Sequence, residues 1–457
     1  MKKPSSNFDP GLPEGLIEKI NSRGRIYEVG GTVRDKFIHS EMINKDKDFL
    51  VTGIPYNDLS DILKPYGRVD LVGKSFGVIK FTPRRKVITF DIALPRKEIS
   101  TGKGHRDFEI DFDHNLSVEV DLHRRDFTIN AIAVDLSTMD IIDPLGGKAD
   151  IESRIIRMTS ENSFEDDPLR MLRAVQFAAR FEFEIEPRTL DSMKHNAGLL
   201  GTISQERIQE ELNKLLELAN APSIGFRLMR DTGLLNEFFP ELQATVGVDQ
   251  PGPYHKFDVF EHIMATIDNA PKKLQTRFAA LFHDICKPQT RELVEDGATF
   301  YGHDRKGAGV ARSVLKRLRY PNDVIEDTRI LVHRHMYTDR VTDKGLRRLI
   351  RNVGQERIFD LLDLRRADIV AQGRGLNPHQ VDRFEKRIRE ELERKPPFSI
   401  KDLAVNGYDI MSNFEIQEGP LVGKILNFLL EAVLDEPDDN KHDLLLGKAK
   451  DFLESQS

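Results

Sequence analysis

Hydrophobic patterning in this 457-residue chain changes period near residue 160, and that change decides its architecture. From residue 24 to about 155, short apolar runs rich in Val, Ile and Phe alternate with helical patterns. "RIYEVGG", "KDFLVTG", "RVDLVG", "FGVIKFT" and "KVITFDIAL" read as strands, and "TVRDKFIHSE" and "PYNDLSDILKPYG" as helices between them. Residues 96–118 are polar and Gly-containing, and are expected to form a long loop. A helix, "VDLHRRDFTINAIA", then leads into "VDL" and "IIDPLGG". After about residue 160 the apolar residues recur at helical spacing, as in "DDPLRMLRAVQFAARFEFEI" and "SQERIQEELNKLLELAN". The expected fold is an α/β head followed by an all-α remainder. Such a length exceeds one ordinary core, so two to four domains are expected. Pro396-Pro397 breaks any helix and marks a late boundary. The expected division is a lead-in helix at 1–22, a head at 23–155, a helical neck at 156–245, a further helical domain at 246–392 and a helical tail at 393–457.

Composition narrows the class. Hydrophobic residues make up 39% and charged residues 31%, with no uninterrupted apolar run long enough to span a membrane. The first residues carry two lysines but no apolar stretch, so a secretory signal is not expected. Cys286 is the only cysteine, which excludes an intramolecular disulfide and a cysteine-based zinc cage and makes the cytoplasm the expected compartment. The net charge of -7 hides an asymmetry: residues 301–400 hold 23 Lys+Arg against 15 Asp+Glu, or +8, leaving -15 elsewhere. Such a stretch is either a set of solvated helix faces or a surface that tracks phosphates.

Asp46 and Asp48 stand one residue apart in "NKDKDFLV". On a strand, side chains alternate between faces, so the two carboxylates would point the same way. Close carboxylates repel unless a cation lies between them, and Mg²⁺ accepts carboxylates while leaving room for substrate phosphates. Upstream, Gly30-Gly31 would let backbone approach those phosphates. Several arginines, Arg34, Arg124, Arg125, Arg170 and Arg173, sit among small and apolar residues and need anionic partners. Asp167 and Arg170 are spaced i,i+3 and would share a helix face. Such a pair is either an ordinary surface ion pair or a reader of a base edge. Asp can accept from the amino group of cytosine or adenine while Arg donates to the adjacent ring nitrogen. Uracil and guanine reverse both groups. Asp91 in "ITFDIAL" is either a third carboxylate or a structural strand-end residue.

In order and spacing, "GGTVRD", "KDKDF", "RRDFTINA", "DPLGGKADI", "DDPLRMLRAVQF" and "SQERIQEEL" resemble successive motifs of the class II tRNA nucleotidyltransferases, the CCA-adding enzymes and bacterial poly(A) polymerases. The resemblance spans residues 24 to about 245 and implies a polymerase-β-like mixed sheet in the head. It implies that Asp46 and Asp48 hold catalytic Mg²⁺. Gly30, Gly31 and Arg34 would lie at the nucleotide phosphates and Arg125 at the ribose side. Asp167 and Arg170 would read the base edge, and Arg173 would touch the nucleotide. The chain departs from the pattern at Gln176, where the family usually has arginine, and mildly at Asp166, often Glu. The implied reaction is attack of the tRNA 3′-OH on the α-phosphate of CTP or ATP, with loss of pyrophosphate. The implied partners are tRNA, ATP and CTP.

Downstream, "YHKFDVFEHIM", "LFHDICKP", "FYGHDRKGAGV" and "LRRADIV" supply His255, His262, His283, Asp284, His303 and Asp368. Histidines on separate helices plus a His-Asp doublet suit a divalent metal. The arrangement resembles the HD phosphohydrolase superfamily, whose pattern falls on His262, His283, Asp284 and Asp368. That resemblance makes 246–392 an HD domain holding a second divalent metal. Cys286 departs from the small glycine that commonly follows the doublet. Three readings follow: template-independent CCA addition; A-only or poly(A) addition with the same head; and an HD metal phosphohydrolase as main or additional activity. A non-catalytic RNA-binding protein fits poorly with so many retained carboxylates and arginines.

Overall fold

The computed structural model describes residues 10–38, 47–73, 77–100, 108–251, 257–295, 297–373 and 378–456. The chain forms two compact units, residues 1–240 and 241–457.

The first unit opens with α1 (Leu16–Asn21), β1 (Arg25–Val29), α2 (Gly31–Ile38), β2 (Asp48–Thr52), α3 (Tyr56–Leu63), β3 (Gly67–Gly73), β4 (Val78–Pro83) and β5 (Phe90–Ala93). There follow β6 (Arg96–Ser100), β7 (Phe108–Phe112), α4 (Val118–His123), β8 (Ala133–Asp135), β9 (Ile141–Ile142) and α5 (Gly147–Ser153). Seven of these strands form one mixed sheet in the order β3-β4-β5-β2-β1-β8-β9, with only β2 and β5 parallel. Side-chain alternation gives the sheet two apolar faces. One face, with Ile26, Phe49, Val51, Ile79, Phe81 and Ile92, packs on Leu16 and Ile20 of α1 and Leu59 and Leu63 of α3. The other, with Tyr27, Val29, Leu50 and Ala133, is covered by Val118 and Leu122 of α4. The helix at 16–21 is therefore part of the head's core.

Two expectations are corrected. Residues 96–118 are not one loop: Arg96–Ser100 and Phe108–Phe112 pair as an antiparallel ribbon. The second strand, "FEIDF", alternates apolar and acidic residues, a period-2 signal masked by its polar content. "VDLHRRDFTINAIA" is not one helix either. α4 stops at His123, and Thr128–Asn130 form a 3₁₀ turn. Arg124 and Arg125 both fold back onto the buried Asp121, and Asp126 accepts from the Phe127 N–H at 2.8 Å, so side chains take over from the helical ladder.

The rest of the first unit is helical apart from the paired β10 (Ile155–Ile156) and β11 (Glu184–Ile185). Its helices are α6 (Ser163–Asp166), α7 (Leu169–Phe181), α8 (Pro187–Asn196), α9 (Gln205–Leu218), α10 (Pro222–Thr232) and α11 (Leu234–Phe238), followed by α12 (Pro240–Gln243) at the junction. The second unit contains α13 (Val259–Asn269), α14 (Leu274–Phe282), α15 (Lys287–Thr290), the hairpin β12 (Glu292–Val294) and β13 (Gly297–Thr299), α16 (His303–Arg317), α17 (Asn322–Arg334), α18 (Asp343–Val353) and α19 (Arg357–Ala371). α20 (His379–Glu393), α21 (Gly407–Phe414), α22 (Pro420–Asp435) and α23 (His442–Gln456) complete it. Among the described residues no helix is long and apolar enough to cross a membrane.

Candidate functional site

A cleft of about 330 Å³ in the first unit gathers Gly30, Gly31, Arg34, Asp48, Arg125, Asp126, Arg173 and Gln176. Register explains the placement of Asp48. It pairs with Val29 on one side and Asp91 on the other, so it shares the face of Val29 and Leu50, the face under α4. Asp46 lies outside the described residues. Asp91 joins the same row, but its carboxylate takes two bonds from Lys80 at 2.8 and 3.2 Å. Gly30 has φ +79°, and a Cβ there would lie 3.0 Å from Asp48 Oδ2 and 3.3 Å from Arg125 Nη1. The glycine thus serves both a left-handed turn and a close approach. It opens α2, whose first N–H groups form a natural anion seat.

The arginines are held by a polar chain that the sequence did not reveal. Arg34 donates to Asp35 Oδ1 at 2.6 and 2.8 Å and to Asn130 Oδ1 at 2.7 Å, with its guanidinium over the rings of Phe177 and Phe181. Asn130 Nδ2 donates to Asp126 Oδ1 at 2.9 Å, and Asp126 Oδ2 takes Arg173 Nε at 2.8 Å. Arg173 also lies 3.5 Å from Glu211, which Lys214 bridges at 2.7 Å. Burial alone would raise the Asp126 carboxyl, but Arg173 and Asn130 outweigh it and hold it below the usual range. Arg125 donates to Asp121 at 3.2 Å, while its Nε is buried without a hydrogen-bond partner. The buried Gln176 has neither amide atom hydrogen-bonded. Signals for Asp126 and Asn130 stood in "RRDFTIN", where an Asp and an Asn flank an apolar turn.

Asp167 and Arg170 do not share a helix face. Asp167 precedes α7 with extended backbone (φ -145°, ψ 99°), because Pro168 disfavours helix at the residue before it. Its Oδ2 accepts from Arg207 of α9 at 2.7 Å. Arg170 is buried and donates to Ser163 Oγ at 3.0 Å and to the Arg124 carbonyl at 2.9 Å. Neither lines the cleft that holds Asp48.

In the second unit, His262 of α13, His283 and Asp284 after α14, and Asp368 of α19 converge. His262 Nε2 is 3.2 Å from His283 Nε2, 3.4 Å from Asp284 Oδ2 and 3.1 Å from Asp368 Oδ1. All four are buried, and His283, Asp284 and Asp368 line a cleft of about 560 Å³ that also presents Lys287 and Arg365. Burial would raise Asp284, but His283 and Lys287 hold it well below the carboxylate range. His303 and His335 extend the cluster, and His335 is pushed down to about 3 by burial and by the neighbouring His283. His335 was not singled out from the sequence, because nothing in "LVHRHMYTDR" distinguishes it from His333. His255 lies outside the described residues.

Much of the basic stretch at 301–400 is neutralised internally. Arg347 pairs with Glu391, Arg348 with Glu431 and Asp435, Arg357 with Asp327, and Arg366 with Asp363 and Asp382.

Comparison with known proteins agrees with this geometry. Residues 26–157 match the poly A polymerase head domain, residues 182–245 the probable RNA and SrmB-binding site of polymerase A, and residues 307–449 the putative domain 2 of tRNA nucleotidyltransferase. The multifunctional CCA protein of Methylobacillus flagellatus is 38% identical over 322 residues, covering 68% of this chain and 73% of that protein. The A-adding tRNA nucleotidyltransferase of Deinococcus radiodurans is 34% identical over 333 residues, covering 69% and 75%. The crystal structure of the Bacillus stearothermophilus CCA-adding enzyme with CTP superposes with a TM-score of 0.71 at 25% identity, covering 96% of this chain and 98% of that one. A mixed sheet carrying the double glycine and Asp48, a helical remainder and this level of identity together place the chain in the class II tRNA nucleotidyltransferase and poly(A) polymerase family.

Proposed function

We propose that the protein adds CMP and AMP from CTP and ATP to the 3′ end of tRNA, without a nucleic-acid template. One observation carries the reading: Gly30, Gly31, Asp48, Arg125 and Arg173 meet in one cleft. The N–H groups at the start of α2 seat the triphosphate, and Arg34 and Arg173 hold positive charge there without needing to reorganise. Arg125 faces the ribose side. Asp48, with Asp46, would hold divalent ions, which suits an oxygen-only donor set and favours Mg²⁺. Bound there, the ions would supply activation of the attacking hydroxyl and neutralisation of the leaving pyrophosphate. In this reading Asp167 and Arg170 read the base edge only after exchanging Arg207, Ser163 and the Arg124 carbonyl for the nucleotide.

The relatives named for CCA addition and the CTP-bound structure support CCA addition over the A-adding or poly(A) alternatives. A structure of the Thermotoga maritima CCA-adding enzyme with tRNA shares the fold, at a TM-score of 0.58 and 23% identity. The five-part division, with head 23–155, neck 156–245, HD domain 246–392 and tail 393–457, goes with this reading, as does a cytoplasmic site of action.

The test is direct. tRNA ending before CC, after C and after CC is incubated with CTP and ATP, alone and together. The expected products restore CCA in every case, and Asp48→Asn incorporates nothing while retaining tRNA binding. Addition of A alone to every substrate, or full incorporation by Asp48→Asn, would overturn the proposal.

A second reading adds to the first. Convergence of His262, His283, Asp284 and Asp368 favours a divalent metal in the second unit and hydrolysis of a phosphate ester there. Its test is phosphate release in the presence of Ni²⁺ or Mn²⁺, lost in His283→Ala while tRNA extension persists.

A further inference from the structure

We propose that Gln176 and Arg180 together hold the pyrophosphate end of the incoming nucleotide, the glutamine accepting a hydrogen bond from the arginine and donating one to a phosphate oxygen. The inference rests on the nucleotidyl-transfer reading of the head cleft.

Three buried polar atoms on adjacent turns of α7 lack a hydrogen-bond partner: Gln176 Oε1, Gln176 Nε2 and Arg180 Nε. Gln176 is 1% exposed, so bulk water does not serve its amide. Buried groups left unpaired are costly, and a cluster of them on a cleft wall points to a missing ligand. Both residues line the cleft with Gly30, Gly31, Arg34 and Asp48. Spaced i,i+4 on the helix, they are neighbours. Their unpaired atoms are complementary. Oε1 only accepts and Nε–H only donates, so a change of rotamer joins them. The amide NH₂ then needs an acceptor from the cleft, which a phosphate oxygen supplies.

The neighbours say which phosphate. Gly30 stands beside Asp48, where an added Cβ would lie 3.0 Å from the carboxylate. Arg34, one turn further along α2, has its guanidinium 4.6 Å from the centre of the Phe181 ring, and Arg180 lies 4.9 Å from that same centre. The path from Asp48 through Gly30 and Arg34 to Arg180 therefore leads away from the reacting carboxylate. A triphosphate with its α-phosphorus at Asp48 would run its β- and γ-phosphates along that path. Arg34 already pairs with Asp35, whereas burial and the charge of Arg34 hold the Arg180 guanidinium below its usual pKa. An anion there relieves the repulsion. Arginine, usual in the family at position 176, would give Arg180 no acceptor and would add a third positive charge. Glutamine supplies a donor without that charge, so the seat grips pyrophosphate less tightly and releases it more readily once the bond to the α-phosphorus has broken.

The experiment uses the full chain. Pyrophosphate with Mg²⁺, CTP and CMP are each titrated calorimetrically, and tRNA extension is followed with and without added pyrophosphate. Gln176→Leu and Arg180→Gln are each expected to weaken pyrophosphate and CTP binding about tenfold, as for one hydrogen bond to a charged group, with CMP affinity and the KM for tRNA unchanged. The double variant should lose less than the two single effects combined, because each residue acts through the other. Gln176→Arg should bind pyrophosphate more tightly and be inhibited by it at lower concentration. Equal losses for CMP and CTP would place the amide at the ribose or base, and a raised KM for tRNA with pyrophosphate binding intact would place it at a tRNA phosphate; either overturns the proposal. Fully independent effects in the double variant overturn the bond between the two side chains. Should Gln176→Leu fail to melt cooperatively, Gln176→Met, which keeps the length and removes both polar atoms, decides. A parent protein that neither extends tRNA nor binds CTP overturns the nucleotidyl-transfer reading itself, whereas normal extension with pyrophosphate binding unmoved in every variant overturns this inference alone.

Discussion

Asn130 is the joint between two arginine systems, and only an amide can fill it. Its Oδ1 accepts from Arg34 at 2.7 Å while its Nδ2 donates to Asp126 at 2.9 Å. Both bonds are charge-assisted, each worth about 1.5–3 kcal/mol where buried. In Asn130→Ala both are lost. Water entering from the open cleft recovers part, so the expected cost is about 2–4 kcal/mol. For a unit of this size that lowers the melting temperature by roughly 4–15 °C. Asn130→Asp is the sharper test. It keeps the acceptor for Arg34 but sets a second carboxylate against Asp126. One carboxyl of that new pair must then have its pKa raised, so its folded form is favoured at low pH and the penalty grows as pH rises through the raised value. The native protein runs the other way. Asp126 is held below the ordinary carboxylate range, so its stabilisation is present above pH ~4 and lost as pH falls through the lowered value. Calorimetric scans of the three proteins from about pH 2 to pH 8 measure both effects, with nucleotide KM followed at the upper end. A loss under about 0.5 kcal/mol in Asn130→Ala, or an Asn130→Asp variant that weakens on acidification as the native protein does, refutes the idea of a through-amide relay.

Gly30→Ala should cost about 1–2 kcal/mol from its left-handed backbone and reduce kcat more than stability, since the new methyl meets Asp48 Oδ2 at 3.0 Å; unchanged kcat would show that Asp48 has room to move. Gln176→Leu, which removes a buried amide with neither atom hydrogen-bonded, should leave the free protein as stable or up to about 2 kcal/mol more stable in urea while raising nucleotide KM; a destabilised free protein would mean the amide is satisfied without substrate. Arg347→Met should destabilise the second unit by about 2–4 kcal/mol, because the buried Glu391 keeps only the exposed Arg394 as a partner and the Leu434 and Asp435 carbonyls lose their donor; a shift under about 1 kcal/mol in chemical denaturation would refute that anchor.

What the sequence made legible was whatever has a period or a fixed local spacing. The strand runs at 25–29, 48–52 and 90–93 and the helices at 31–38 and 56–63 all form where their patterns place them. Spacing failed where side chains override the backbone ladder. The i,i+3 separation of Asp167 and Arg170 implies a shared face only if the helix includes both residues, and Pro168 keeps Asp167 out of it. The Arg34–Asn130–Asp126–Arg173 chain has no local signature beyond the Asp and Asn of "RRDFTIN", because its members are drawn from α2, the segment 126–130 and α7.

The two sites differ in how they handle concentrated like charge, and the difference bears on what each can bind. In the head, Arg34 and Arg173 are already paired with Asp35 and Asp126, so in the proposed function an entering triphosphate would meet guanidinium groups fixed in place, with little reorganisation opposing its binding. Arg180 shows the limit of that strategy. Burial and the neighbouring Arg34 both depress its pKa, so another cation on the same face of α7 would add repulsion, and a neutral Gln176 avoids it. In the second unit the buried carboxylates of Asp284 and Asp368 meet a cluster of histidines, and backbone carbonyls fix the rings of His283, His303 and His335. A site built that way would suit a cation, as in the proposed function the head cleft would suit a polyanion. One chain can therefore carry both without either competing for the other's ligand.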